Sequence, residues 1–148
     1  TDPRSHIYYL PELYCAYFGR CHAAFAALPP AAQQAIDPDR AFDSIRAKVL
    51  AYVQSELISC EINAFDAALA LIALAHLGAE PASFTPALHC IVTQLGEGGR
   101  HGPFRGYEWN KMKTPTRIVV GGPEVTSAFV LMALTLARRA MMRGRGPG

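Results

Sequence analysis

The stretch NAFDAALALIALAHLG (residues 63–78) decides the fold of this chain. It begins with Asn63, a residue type favoured as a helix N-cap, and ends with Gly78, a type favoured just beyond a helix C-terminus. Between these ends only two side chains are polar. The stretch therefore predicts a helix over about 64–77. Because this helix is apolar on nearly all sides, other elements must surround it.

Four further helices are predicted on either side of this one, from apolar residues at intervals of three and four and from prolines suited to a first helical turn. They cover residues 11–28, 40–57, 86–95 and 123–140. Asp37 or Asp39 is the predicted N-cap of the second helix. The other parts are a polar connection at 29–39, a long Gly-rich loop at 96–122 and a flexible tail at 141–148. The sequence predicts one all-α domain over residues 1–148.

Composition supports a packed domain with few charges. Hydrophobic residues make up 51% of the chain, and the net charge is +2. The charge is unevenly placed, since residues 1–74 carry five Lys/Arg and eight Asp/Glu, whereas residues 75–148 carry nine and four. A basic loop and tail would suit an anionic surface or would simply be solvated. No nucleic-acid-binding motif is present, so we expect no nucleic-acid partner.

Four cysteines occur, and none forms a Cys-x-x-Cys pair; they are Cys15, Cys21, Cys60 and Cys90. Three lie in predicted helices among apolar residues, where free thiols act as small hydrophobic groups. This pattern predicts a reducing, cytoplasmic location, without a metal or cofactor. No signal peptide is recognised, and no run of about 18 apolar residues predicts a transmembrane segment.

Two of the predicted helices repeat each other. Residues 65–74 align with residues 125–134, and four of the ten aligned positions are identical. Helices buried on most sides alternate with more amphipathic ones, as expected of antiparallel helical hairpins in two layers. The alternative is an irregular five-helix bundle whose Ala/Leu-rich helices are alike only in composition.

A longer pattern links the fourth and fifth predicted helices. A helix ending near Gln94 is followed by the Gly-rich loop, by Phe104, and by a helix that begins Gly-Pro-Glu-Val-Thr-Ser-Ala at 122–128. This order resembles the repeats of the terpenoid cyclase and protein prenyltransferase superfamily, which includes the squalene–hopene cyclases. The resemblance implies an α/α toroid whose inner helices line an apolar cavity for a polyprenyl chain. Five helices would form a partial toroid, completed by a second copy or by the remainder of a larger chain.

The chain lacks the superfamily's acidic motif and zinc ligands. Squalene cyclases of this type use an acid in an Asp-x-Asp-Asp motif, which is absent here. His89 and Cys90 are adjacent on a helix, so their side chains diverge by about 100° and form no zinc site. Asp66 is the first candidate catalytic acid, because it lies among apolar residues. Glu124 is the second, and the alternative for both is a structural role in a first helical turn.

The long loop is the predicted working surface, with aromatic and cationic side chains that would close over a ligand. The predicted ligand-binding residues are Tyr8, Tyr14, Phe104, Arg105, Tyr107 and Trp109. The alternative is a surface flap with Trp109 against the core, and tyrosines that serve only in packing.

Three functions follow as hypotheses. The first is a domain that binds an apolar, isoprenoid-like ligand, with an incomplete active site of its own. The second is a non-catalytic helical-repeat module that binds other proteins. The third is one piece of a larger enzyme. Whether the chain is an enzyme is left open by its sequence.

Overall fold

A computed structural model describes residues 11–56, 62–95, 104, 107–109, 118–120 and 122–144. The described residues form six α-helices, α1 Pro11–Ala26, α2 Pro30–Ile36, α3 Ala41–Glu56, α4 Ala64–His76, α5 Thr85–Leu95 and α6 Pro123–Gly144. A 3₁₀ turn, Pro81–Phe84, leads into α5. Strands β1 Tyr107–Trp109 and β2 Ile118–Val120 form an antiparallel pair in which Glu108 lies opposite Val119. The helical class predicted from the sequence is confirmed.

The five predicted helices correspond to α1, α3, α4, α5 and α6, with ends that agree within a few residues. The predicted connection at 29–39 instead contains α2, because Pro30 occupies a first-turn position and good helix formers follow it. The sequence of α2 has no apolar stripe that predicts a helix, and the structure buries none of its residues. The antiparallel pair of β1 and β2 lies within the predicted loop at 96–122.

The last helix is longer than predicted. It continues to Gly144, so residues 141–144 of the predicted flexible tail are helical. The physical reason is helix propensity, since Ala, Met and Arg fill the segment 137–143. Residues 145–148 lie outside the described part of the chain.

The α4 helix is the centre of the fold. All residues from 66 to 75 are buried, and α1, α3, α5, α6 and the 3₁₀ turn all pack against this helix. Leu71, Leu74 and Phe84 of the core are completely shielded from solvent. The prediction that this helix is surrounded on most sides is confirmed.

Close packing aligns α1 and α6 with α4. A methyl group at Gly19 would lie 3.3 Å from the backbone of Ala73, so glycine allows α1 to approach α4 closely. The rings of Phe65 and Phe129 meet in the N-terminal halves of α4 and α6, with centroids 5.3 Å apart. Ala23 and Ala140, near the other ends of α1 and α6, line one cleft together with the end of α4. The three helices therefore run parallel, with their C-termini at one end of the molecule.

The N-terminus of α4 is held by two side chains. Asn63 Oδ1 accepts a hydrogen bond from the Asp66 N–H at 2.8 Å, which confirms the predicted N-cap. Gln94, at the end of α5, accepts from the Ala64 N–H at 2.5 Å and donates to the Ile62 carbonyl at 2.6 Å. These bonds satisfy polar groups that the helix itself leaves without partners.

The C-terminus of α4 is closed by backbone and side-chain bonds. Gly78 has a φ of 67°, as predicted for a residue just past a helix, and the Ala79 N–H donates to the Leu74 carbonyl at 3.0 Å. This is a Schellman arrangement. Arg46 of α3 donates through Nε and Nη2 to the Leu77 carbonyl at 2.8 and 2.5 Å. Thus α3 holds one end of α4, and α5 holds the other.

The start of α3 confirms one of the two predicted caps. Asp37 accepts hydrogen bonds from the Ala41 and Phe42 N–H groups at 2.8 and 2.9 Å. The backbone turns between them through Arg40, whose φ is 54° and whose guanidinium pairs with Asp43 at 2.7 Å. The Asp37 carboxylate thereby satisfies two N–H groups of the first turn that have no partner within the helix.

We predict that Gln94→Ala lowers the free energy of unfolding by about 1 kcal/mol, because the part-buried Ala64 N–H and the more exposed Ile62 carbonyl at the start of α4 lose their partner. Urea denaturation followed by circular dichroism measures this change. Gln54→Ala is the matched control, since Gln54 is an exposed glutamine near the end of α3. Equal losses in the two variants would contradict the assigned role of Gln94.

Candidate functional site

The two candidate catalytic acids lie in different environments. Asp66 is 8% exposed in the first turn of α4, whereas Glu124 is exposed in the first turn of α6. Glu12 occupies the first turn of α1. Because the three helices are parallel, all three carboxylates belong to the N-terminal end of this group of helices. Each is favourably placed next to a helix N-terminus, and their catalytic use stays a prediction.

The predicted ligand-binding residues are only partly described. Tyr14 is 59% exposed on α1, while Phe104 is buried within the hydrophobic core. Tyr107 and Trp109 belong to β1, and only the backbone of that strand is described. Tyr8 and Arg105 lie outside the described residues. Of the candidates with described side chains, Tyr14 is thus the one that faces solvent.

A cleft of about 350 Å³ lies where α1, α4 and α6 end. Its polar side chains include His76, Glu80 and Arg143, and alanines and glycines form most of the rest. Three helix C-termini bring partial negative charge to this end, which Arg143 and the nearby Arg20 offset. Burial is the main cause that lowers the pKa of His76, and the two arginines lower it further.

A second cleft, of about 270 Å³, lies between α1, α2 and α3. Phe25, Gln33, Asp37 and Arg40 are among its lining residues. Both clefts are at or below the lower end of the usual ligand-pocket range of roughly 300–1,000 Å³. Apart from His76 in the first and Phe25 in the second, neither is lined by aromatic rings. The aromatic cavity implied by the family resemblance has no counterpart in these two clefts.

Large apolar side chains lie on the outer face of α1. Tyr17 is 70% exposed and Leu13 is 41% exposed, while Cys15, Ala16 and Gly19 are the residues buried against the rest of the fold. The apolar residues at intervals of three and four in this helix, such as Leu13 and Tyr17, predict one apolar face that packs on the fold. The small residues form the packed face instead, because they allow α1 to approach α4 closely. Their spacing in the sequence is the signal that reveals the packed face.

A second apolar surface lies on the outer face of α6. Leu131 is 68% exposed and Met142 is 62% exposed, with Val125 and Met132 also open to solvent. The opposite face of this helix buries Thr126, Val130, Ala133 and Ala137. Several large apolar side chains exposed on the outer side of one helix are typical of an interaction surface. We name this surface the α6 outer face, and it is the strongest site feature in the described chain.

Among the described residues, α6 is the one helix long and apolar enough to cross a membrane. The mean hydropathy of its most apolar 18-residue window is 1.4, and 22% of that window is buried within the fold. A core helix of a soluble protein meets the same criteria of length and composition. The absence of a transmembrane segment therefore stays a prediction.

The described cysteines differ in exposure. Cys15 and Cys90 are buried, whereas Cys21 is exposed. Burial raises the pKa of Cys15 to about 11, and the nearby Glu12 carboxylate contributes to this shift. Cys15 thus stays a thiol at neutral pH, which suits packing and not nucleophilic or metal chemistry. No group of three metal-ligating side chains occurs in the part of the chain that the structure describes.

Comparison with protein-family models, curated proteins and solved structures finds no match to this chain.

We predict that stability falls as the pH drops below about 6.5, because His76 and His22 both have lowered pKa values in the folded state. The unfolded chain then binds more protons than the folded chain between the folded pKa and 6.5. Urea midpoints measured from pH 8 to pH 5 test this. The decrease in the urea midpoint from pH 8 to pH 5 should be smaller in His76→Gln and in His22→Gln than in the parent. If both variants keep the pH profile of the parent, the prediction is contradicted.

Proposed function

We propose that this domain is a non-catalytic helical-repeat interaction module whose binding surfaces are the outer faces of α1 and α6. The observation that carries the proposal is the exposure of large apolar side chains, led by Tyr17 at 70% and Leu131 at 68%. By contrast, α4 has no open face, since its residues from 66 to 75 are all buried. Burying an exposed leucine or methionine against a partner is favourable by about 1.5–3 kcal/mol.

In architecture, we propose a partial α/α array. In this array α1, α4 and α6 are parallel inner helices, and α3 and α5 are the outer helices of two hairpins. The sequence repeat between 65–74 and 125–134 supports this assignment, as does the packing of α3 and α5 on α4. Each helix at the end of such an array lacks one neighbour. A second copy, another protein or the remainder of a larger chain would supply it.

Photo-crosslinking tests the interaction module. A benzophenone amino acid replaces Leu131 or, as the control, Ala47, an exposed residue of α3. Both positions are exposed, so both variants should keep the circular dichroism spectrum of the parent. We expect protease-sensitive adducts of discrete mass from position 131, in roughly tenfold excess over position 47. Equal yields at the two positions, or no adduct at either, would rule out this face as a protein-binding surface.

The second candidate function is binding of an apolar, isoprenoid-like ligand. It is favoured by Tyr14 and Tyr17, which are exposed on neighbouring turns of α1 together with Leu13. Aromatic rings at this spacing provide π faces and apolar surface for a hydrocarbon chain. Catalysis at Asp66 or Glu124 is not part of this proposal.

Native mass spectrometry with farnesyl and geranylgeranyl compounds tests ligand binding. We expect a bound species that decreases at least severalfold in Tyr14→Ala/Tyr17→Ala, because the π faces are removed. Tyr52→Ala is the control, since Tyr52 is a partly exposed tyrosine of α3. The absence of any adduct at high micromolar ligand, or equal loss in the control, would reject isoprenoid binding on α1.

A further inference from the structure

We propose that the α6 outer face binds the same face of a second copy of this chain, giving an antiparallel dimer with two-fold symmetry. This inference rests on the proposed interaction module and names its partner. It follows from three features of α6, namely the spacing of its exposed residues, the charges at its two ends, and the burial of its opposite face.

An exposed stripe runs along the length of α6. This stripe repeats at alternating intervals of four and three, through Glu124, Ala128, Leu131, Thr135, Arg138 and Met142. Intervals of this kind keep a stripe facing a partner helix over several turns. The stripe lies across the helix from the buried residues Thr126, Val130, Ala133 and Ala137. Thus α6 has one seam used within the fold and a second seam open.

The charges select an antiparallel orientation. Glu124 lies at the N-terminal end of the open seam, and Arg138 and Arg139 lie near its C-terminal end. A parallel pair would place Glu124 against Glu124 and arginine against arginine, which is unfavourable. An antiparallel pair instead places Glu124 of each copy against Arg138 and Arg139 of the other. The helix dipoles also oppose each other in this orientation.

The middle of the seam fits the same register. With the two-fold axis between positions 131 and 132, Leu131 on the stripe and Met132 beside it lie close to the same two residues of the other copy. Ala128 of one copy then lies opposite Thr135 of the other, and both are small enough for axes about 8–10 Å apart. Every contact occurs twice, as an isologous interface requires. The seam is therefore complementary to itself in charge.

A second copy accounts for this surface better than a lipid bilayer does. Although α6 is long enough to span a membrane, its inner face is packed on α4 and includes Val130 and Ala133. Separation of the helix would expose that packed face. A lipid surface would also give Glu124 no partner, whereas the second copy supplies two arginines.

Analytical ultracentrifugation of the full chain at several concentrations tests the dimer. We expect a monomer–dimer equilibrium, and Leu131→Asp should raise the dissociation constant at least roughly tenfold. Glu124→Arg and Arg139→Glu should each raise it by a similar factor, because like charges then face each other twice. Lys48→Glu is the control for charge alone, since Lys48 is an exposed residue of α3. Circular dichroism verifies that each variant is folded.

Mixing the two charge variants provides the decisive measurement. Glu124→Arg chains mixed with Arg139→Glu chains should form a heterodimer, because each antiparallel contact again joins opposite charges. A monomer at all concentrations, or a dimer insensitive to these reversals, would overturn the proposal. If the chain is monomeric but position 131 crosslinks to another protein, the dimer is rejected and the interaction module survives. Flotation of a monomeric chain with anionic vesicles would instead assign the face to a lipid surface.

Discussion

The burial of α4 on all sides is the constraint on which the rest of the structure depends. A helix of alanines and leucines gains stability from such burial, but the polar groups of its backbone ends must still find partners. Gln94 supplies them at one end, and Arg46 together with the turn at Gly78 supplies them at the other. Since these side chains come from α5 and α3, closing the ends of α4 also positions the neighbouring helices.

The way in which α4 is covered explains where apolar surface remains. Small residues of α1 and α6, such as Gly19 and Ala133, lie against it, and this allows close helix packing. Larger side chains such as Tyr17 and Leu131 are consequently turned outwards. The packing of small residues against α4 thus leaves large apolar side chains exposed on α1 and α6. An array whose end helices lack neighbours is expected to have such faces.

The candidate site could be predicted only in part. The acids at the helix starts were identified from the sequence, and Asp66 was placed on the helix that was predicted to be surrounded and is buried. The exposure of Glu124 was shown only by the tertiary structure. Burial depends on which helices pack over each turn. The cleft around His76 was not predicted either, since it joins the ends of three helices that are distant in the chain. Local patterns carry no information on such a meeting point.

By itself, the sequence determined the helical class, five of the six described helices, and the caps at Asn63 and Gly78. These features depend on local propensity, apolar periodicity and turn chemistry, all of which act over a few residues. For α3 the sequence left Asp37 and Asp39 as alternatives, and the structure decided for Asp37. Only the tertiary structure decided which face of α1 and of α6 is buried. The buried face is the one that lets each helix approach α4 closely. In α1 this is the face of Gly19 and its small neighbours, and not the face of the larger apolar residues.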